Sequence, residues 1–296
     1  MPLTIRPITP AFGAELLDCD LRSESTPELA SRVAEAMDRY GVCFFGGQEI
    51  VDEQQIAFSR LFGALEKSPN FGRGDSETVR MKFPELFDVS NLDEHDRILP
   101  DSDRRRAFRQ ANMMWHTDSS FQPHGAGYSL LSARVVPASG ADTEFADMRA
   151  AYDALPDAMK QRLQGLVAEH STFYSRSLIG YTFTEEELKR RRPTLQYVVQ
   201  THPRSGRRSL YLGSHASHIA GMPVEEGRAL LRELAEFATQ ERFVYRHQWS
   251  AGDLLLWDNR CTMHRATPFD DFAERRDLRR TTVVGDLPVV EPALTA

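Results

Sequence analysis

Asp253-Leu254-Leu255-Leu256-Trp257-Asp258-Asn259-Arg260-Cys261-Thr262-Met263-His264-Arg265-Ala266 is an apolar run, a turn signal and a second short run. Asp253 to Trp257 reads as a buried strand, because an unbroken row of bulky apolar side chains suits a strand covered on both faces. Asp258-Asn259 follows as a turn, since both side chains bond nearby backbone and tolerate left-handed conformations. Thr262 to Ala266 is then the next strand. The same pattern repeats outward from this hairpin. Tyr128 to Val136, Asp142 to Ala146, Val167 to Phe173, Leu195 to Thr201, Ser209 to Gly213, Phe243 to Trp249 and Arg280 to Val284 all read as short strands, with Arg204-Ser205-Gly206-Arg207 as a hairpin turn. Helices interrupt at Met148 to Leu163, broken at Pro156, and at Val224 to Ala238.

The N-terminal third differs. Thr4 to Ile8 alternates like a strand, and Thr26-Pro27 opens a helix whose Leu29, Val33, Met37 and Tyr40 follow helical spacing until Gly41 ends it. Val42 to Phe45 is a short buried strand and Asp52 to Phe62 a second helix. Residues 64–112 are irregular, polar and rich in Asp and Arg, the composition of a lid or binding segment. No repeat, low-complexity tract or Gly/Ser linker divides the chain. The expected fold is therefore mainly β with flanking helices, a double-stranded β-helix or jelly roll, in one domain spanning 1–296.

Bulk properties bound the function. The 296 residues are 41% hydrophobic, enough for one large core. Apolar runs stay far below the ~18 residues of a membrane span, and Met1-Pro2-Leu3-Thr4-Ile5-Arg6 does not have the pattern of a secretory signal. Three widely spaced cysteines, Cys19, Cys43 and Cys261, suit reduced thiols in a cytoplasm. A net charge of −7 argues against nucleic acid or an anionic membrane as partner. It also means that an anionic substrate must be drawn by local positive charge.

Chemistry begins at Trp115-His116-Thr117-Asp118. In an extended segment, residues two apart face the same side, so His116 and Asp118 can offer an imidazole and a carboxylate to one cation. A second imidazole would complete a facial triad that leaves positions open, the pattern of non-haem Fe(II) oxygenases. In a chain with nine histidines such a triplet also arises by accident. His264 is one candidate for the third ligand, but His170, His202, His215, His218 and His247 also lie on or beside predicted strands. Spacing does not choose among them.

Arg275-Arg276-Asp277-Leu278-Arg279-Arg280 places four guanidiniums in six positions. A solvated charge run is the plain reading. The segment, however, leads directly into β-prone Thr281-Thr282-Val283-Val284. In a strand Arg276, Leu278 and Arg280 share one face, and that face is the better candidate to point inward. Two inward guanidiniums need anionic partners, since an unpaired buried charge costs several kcal/mol. Carboxylate ligands would supply them, bound bidentately.

Trp115 to Asp118, Ser139-Gly140-Ala141-Asp142-Thr143-Glu144-Phe145, Trp257-Asp258-Asn259-Arg260 with His264, and the Arg-rich segment occur in that order. Together they resemble the taurine dioxygenase and 2,4-dichlorophenoxyacetate dioxygenase family of Fe(II)/2-oxoglutarate enzymes, over nearly the whole chain. The resemblance implies His116, Asp118 and His264 as iron ligands, Thr143 and Arg276 as the grip on 2-oxoglutarate, and Arg280 as the receiver of the substrate's acidic group. It implies Asn112 on the substrate side, together with Ser119, Phe71 and His218, and O₂ as co-reactant. Asp118 favours hydroxylation, because related halogenases carry a small residue there. Ser68 and Phe71 stand where taurine dioxygenases carry histidine and tyrosine. By contrast, Trp115 to Gln122, Asp142 to Pro156, Gly213 to His218 and Phe243 to His247 look closer to the phenoxyacetate branch.

The expected activity is thus hydroxylation of an aryloxyalkanoate, such as 2,4-dichlorophenoxyacetate, with collapse to a phenol and an oxo acid. The same chemistry on a sulfonate or alkyl sulfate is the alternative. A non-catalytic jelly-roll sensor would keep the metal triad without needing Thr143 and Arg276. Expected partners are a small organic acid and further copies of the chain, as a dimer or larger, with no nucleic acid and no membrane, in the cytoplasm. His202, His215 and His218 either line the pocket, support the ligands or are satisfied structural histidines, and residues 68–83 are either a lid or a connector.

Overall fold

A computed structural model describes residues 3–68, 80–190 and 192–290. Its strands begin with β1 (Thr4–Pro7), β2 (Ala14–Leu17), β3 (Val42–Phe45), β4 (Phe87–Asp88) and β5 (Ala126–Val135). They continue with β6 (Thr143–Asp147), β7 (Val167–His170), β8 (Thr194–Tyr197), β9 (Val199–Thr201) and β10 (Arg208–Leu210). The last are β11 (Ala216–Ile219), β12 (Val244–His247), β13 (Leu254–Asp258), β14 (Thr262–Ala266) and β15 (Asp277–Val284). Helices are α1 (Pro27–Tyr40), α2 (Asp52–Arg60), α3 (Arg104–Gln110), α4 (Met148–Asp153), α5 (Asp157–Leu163), α6 (Thr172–Ser177), α7 (Glu185–Arg190) and α8 (Val224–Ala238). None of these helices is long and apolar enough to cross a membrane.

The fold is mixed, with a seven-stranded sheet in the order β1-β2-β3-β13-β5-β15-β4 and a three-stranded sheet β12-β6-β14. Strand β13 shows why the sequence folds this way. Leu254 and Leu256 point to one face and join Phe45, Leu130, Val33 and Met37 in the core beneath α1. Leu255 and Trp257 point to the other, where they meet Leu131, Leu278 and Phe145 of the small sheet. Both faces of β13 are covered, which accounts for its unbroken apolar run. A third core packs α4 and α8 against Ala146 and Met263, on the outer side of the small sheet.

Helix α1 follows its sequence signals closely. Thr26 caps its start by accepting from the Leu29 amide at 3.2 Å, and Gly41 ends it at φ 68° with its N–H on the Met37 carbonyl. A Cβ at residue 41 would lie 2.9 Å from Arg149 Nη2, so glycine is required for space as well as for backbone angle.

Several expectations need correction. The strand read over Val167 to Phe173 stops at His170, because the Ser171 hydroxyl caps α6. Leu195 to Thr201 divides at Val198 into β8 and β9. The segment read as irregular over 64–112 contains β4, which pairs with β15, and helix α3. Strands β2 and β11 and helix α7 were not anticipated. Residues 69–79, which include Phe71 and most of the suspected lid, lie outside the described residues.

Candidate metal and acid-binding site

Two chain segments meet to build the site. His116 and His264 form an isolated antiparallel bridge, each amide donating to the other's carbonyl at 3.0 and 2.8 Å. Their rings lie 4.2 Å apart, centroid to centroid. The pairing requires a close approach from behind: a Cβ at Gly213 would stand 2.9 Å from the His116 Cα. Asp118 follows two residues after His116, its amide held by the Asn259 side chain at 3.1 Å. Asn259 itself accepts from the Trp257 indole and donates to Ser129, whose hydroxyl reaches Asp118 Oδ2 at 2.8 Å. The turn after β13 therefore fixes the carboxylate, while β14 supplies the second histidine.

One ligand atom from each of His116, Asp118 and His264 lies within 4.8 Å of the others, and all three residues are buried. Their protonation suits a cation. Burial holds both imidazoles below their ordinary range, and for His264 the neighbouring His116 adds to the effect. His116 Nδ1 lies 2.8 Å from the Met114 carbonyl, which can only accept, so Nδ1 carries the proton and Nε2 keeps a free lone pair. His264 Nδ1 is buried with no protein partner. Burial would raise the Asp118 carboxyl, but the Arg280 charge, foremost, and the Ser129 hydroxyl pull it down, and the group is held at about 2. Two neutral imidazoles and an anionic carboxylate, with His264 Nε2 turned to Asp118 Oδ2 at 3.9 Å, fit a divalent metal ion.

Beside this cluster a cavity of about 410 Å³ is walled by His116, His264, Thr143, Arg276, Arg280 and Asn112, among others. Thr143 and His264 arrive there through register. Strand β6 pairs with β14 so that Phe145 opposes His264 and Thr143 opposes Ala266, which puts all four on one face. The Thr143 hydroxyl accepts from the Trp249 indole at 3.0 Å, leaving its own proton to donate into the cavity. Arg276 is 8% exposed, and among the described residues its side chain hydrogen-bonds only the Val89 carbonyl, at 3.2 Å. Burial pulls its guanidinium down to about 10, with Asp142 offsetting only part of that. Arg276 forms no ion pair among the described residues, so the cavity wall carries a desolvated charge that calls for an anion. Arg280 faces the same space, with Nη1 hydrogen-bonded to Asp118 Oδ1.

Ser119 and His218 do not take the substrate-side positions expected of them. The Ser119 hydroxyl turns to Glu66 at 2.8 Å, and His218 sits on β11 against Ser217; neither walls the cavity. His215 lies behind His116, with ring centroids 6.3 Å apart. His202 is a structural histidine, its Nε2 bonded to Asp258 at 2.9 Å. His247 is likewise satisfied by Tyr245 and Asp253, and with Phe44 and Tyr245 it walls a second, open pocket. The sequence reading missed Arg106 and Arg109, which wall the cavity from α3, and Glu66. Burial pushes the Glu66 carboxyl up to about 7, against the pull of Ser119 and Arg280. The charge-rich 80–112 stretch was the available signal, but it gives no facing.

Fold and site together describe a protein able to hold a metal ion beside an anionic small molecule. The chain belongs to the taurine catabolism dioxygenase TauD, TfdA family, whose pattern it matches over residues 4–282. It is 46% identical over 290 residues to an alpha-ketoglutarate-dependent 2,4-dichlorophenoxyacetate dioxygenase of Cupriavidus pinatubonensis, covering 98% of this chain and 100% of that one. It is 36% identical to an (S)-phenoxypropionate/alpha-ketoglutarate-dioxygenase of Sphingobium herbicidovorans, covering 98% and 97%. Among solved structures, that of AAD-2 in complex with Mn(II) and N-oxalylglycine superposes with a TM-score of 0.89 at 47% identity, covering 99% of this chain and all of the other.

Proposed function

We propose that this chain is an Fe(II)- and 2-oxoglutarate-dependent dioxygenase that hydroxylates an aryloxyalkanoate such as 2,4-dichlorophenoxyacetate. The ether then collapses to a phenol and an oxo acid, with succinate and CO₂ as co-products. The observation that carries this reading is Arg276, a buried guanidinium without a carboxylate, in the same cavity as a His₂Asp cluster. A metal sensor has no use for that unmatched charge, whereas a dianionic cosubstrate has. The 46% identity to a dioxygenase acting on 2,4-dichlorophenoxyacetate supports the choice of substrate.

In this reading His116, Asp118 and His264 hold the metal. Iron with 2-oxoglutarate supplies the O₂-activating, oxidising chemistry when bound. Arg276 pairs with the distal carboxylate of 2-oxoglutarate, and the Thr143 proton donates to that same carboxylate. Arg280 receives the substrate's acid group and Asn112 lines the approach. The carbon next to the ether oxygen is thereby oriented toward the histidine pair. The two facing sheets form a jelly roll in a single domain, and the enzyme works in the cytoplasm as a homo-oligomer.

Succinate release with Fe(II), ascorbate and 2-oxoglutarate against phenoxyacetates, 2-phenoxypropionates, an alkyl sulfate and taurine tests this. Phenoxy acids are expected to give succinate and free phenol. Turnover of only the sulfur compounds would overturn the substrate, and absence of succinate with every acid would overturn the reaction.

A further inference from the structure

Strand β15, which begins one residue after Arg276 and presents Arg280 to the cavity, has a second face with its own electrostatics. There Asp277 and Arg279 belong to a continuous row of ion pairs. Arg134 and Arg279 share Asp52 at 3.4 and 2.7 Å, Arg279 also reaches Asp277 at 3.4 Å, and Arg80 holds Asp277 at 2.7 Å. Arg80 holds Asp88 at 3.1 Å as well, and Asp88 in turn meets Arg109 at 3.1 Å. Arg80 is the hub: its side chain is 5% exposed, and its three nitrogens together serve Asp88, Asp96, Asp277 and the Ser90 hydroxyl.

What the hub holds is the cradle of Arg276. The Val89 carbonyl accepts from Arg276 Nη1 at 3.2 Å, and the Asn91 side chain accepts from the Arg276 amide at 2.8 Å. Asn91 also donates its carboxamide to the Asp271 and Glu274 carbonyls, tying down the loop that leads into β15. Ser90, between these two contacts, is gripped on its hydroxyl by Arg80 and on its carbonyl by Arg109. A guanidinium with five donors in a fixed fork can brace several acceptors at once, which a flexible ammonium cannot.

We propose that Arg80 is a positioning residue for the cosubstrate clamp. By fixing segment 88–91 against Asp277 it sets where the Arg276 guanidinium stands, and so sets the affinity for the distal carboxylate of 2-oxoglutarate. This rests on the functional reading above. It assigns to Arg80 a role distinct from holding the metal; Arg280, whose guanidinium meets Asp118, also pairs with Phe87 of β4 and packs over its ring, beside the braced segment.

The test is calorimetric binding of 2-oxoglutarate to the Mn(II)-loaded full chain, alongside steady-state constants and the affinity for Mn(II) alone. Arg80→Ala is expected to weaken 2-oxoglutarate binding by about 10–100-fold, the range typical when a residue that orients a ligand-binding group is removed. Mn(II) affinity should move less than about 3-fold, the KM for the aryloxy acid should move less than the affinity for 2-oxoglutarate, and kcat at saturating cosubstrate should be largely retained. Arg80→Lys keeps the charge but loses the fork, and Ser90→Ala removes one contact. Both give the same readout, smaller in size, should Arg80→Ala fold poorly. Unmoved 2-oxoglutarate affinity in these two variants, or equal losses for metal, cosubstrate and acid, would overturn the proposal. Failure of the unaltered chain to bind 2-oxoglutarate would instead sink the functional reading, and this inference with it.

Discussion

Two buried clusters in this protein bring histidine and carboxylate together: His116, Asp118 and His264, and His202, Asp258 and Cys261. Proximity does not separate them, because each has three potential ligand atoms within 4.8 Å of one another. What separates them is whether the lone pairs are already spoken for. In the second cluster Asp258 takes a two-pronged contact from Arg260 at 2.8 and 2.7 Å and a third from His202 Nε2, while His202 Nδ1 accepts from the Ser205 amide. Asp118 in the first cluster also has a guanidinium and a hydroxyl on its oxygens, from Arg280 and Ser129, so the difference lies in the imidazoles and the open space. In the first cluster His116 keeps a lone pair free, His264 turns Nε2 to Asp118 at 3.9 Å, beyond hydrogen-bond range, and a cavity opens beside both histidines. The same residue types thus serve as a ligand set in one place and as an internal brace in the other.

The largest effect that can break this comparison is at His264. His264→Ala should abolish metal-dependent turnover and reduce Mn(II) stoichiometry from one toward zero, measured by metal analysis after gel filtration. Retained stoichiometric binding would remove His264 from the ligand set. Asp258→Asn should do the opposite. It should keep the metal but cost about 3–5 kcal/mol in denaturant unfolding, because Arg260 is left buried with only the half-exposed Asp286 as a charge partner. Metal loss with unchanged stability in that variant would reverse the two assignments.

Acid sharpens the contrast through a third kind of histidine. His170 is fully buried, bonds only the Ser120 hydroxyl among the described residues, and is held down to about 3 by burial, from 6.5. Its folded pKa lies below its unfolded one, so as pH falls below about 6.5 the unfolded chain gains a proton that the folded chain refuses. Stability should then fall by about 1.4 kcal/mol per pH unit from this group, down to about pH 3, where the loss levels off. Unfolding free energies between pH 7 and pH 5 check the sign, and a His170→Asn variant should show a shallower slope. An identical slope in both would assign the acid sensitivity elsewhere.

How much of this was legible beforehand follows the range of the forces involved. The 253–266 hairpin and α1 could be read because periodicity, caps and turns act within a few residues; the expected single face of Arg276, Leu278 and Arg280 meets a register shift after Asp277, and only the two arginines wall the cavity. The choice of His264 over His202 or His247 could not be made from spacing. It depends on a bridge to His116 across the sheet interface and on Asp258 and Asp253 having already claimed the competitors. The misreading of 64–112 has a related cause. Helix α3 is seven residues long with three consecutive arginines, so it has no apolar stripe, and it is held by Asp271 and Asp88, the first of them 165 residues away from Arg106. Ser119 and His218 were expected on the substrate side from the resemblance alone, and neither walls the cavity. The structure shows that Glu66 and Ser217 claim them.

The smallest expected effect is the most direct check on the second cluster. Cys261 is the third member there, fully buried, and burial drives its thiol far above the ordinary range despite Arg149 close by. A cysteine binds metal as the thiolate, so at neutral pH this side chain offers a protonated sulfur packed in the interior. Cys261→Ser exchanges a weakly polar sulfur for a hydroxyl of similar shape, and should change stability by about 1 kcal/mol, within the range for burying a hydroxyl that finds a partner. Metal affinity and stoichiometry should be unmoved. If a metal did reside between His202, Asp258 and Cys261, this substitution would remove its softest ligand, and a second equivalent of Zn(II) present in the unaltered protein would disappear from the variant. A titration showing one equivalent in both proteins keeps the ion at His116, Asp118 and His264 alone.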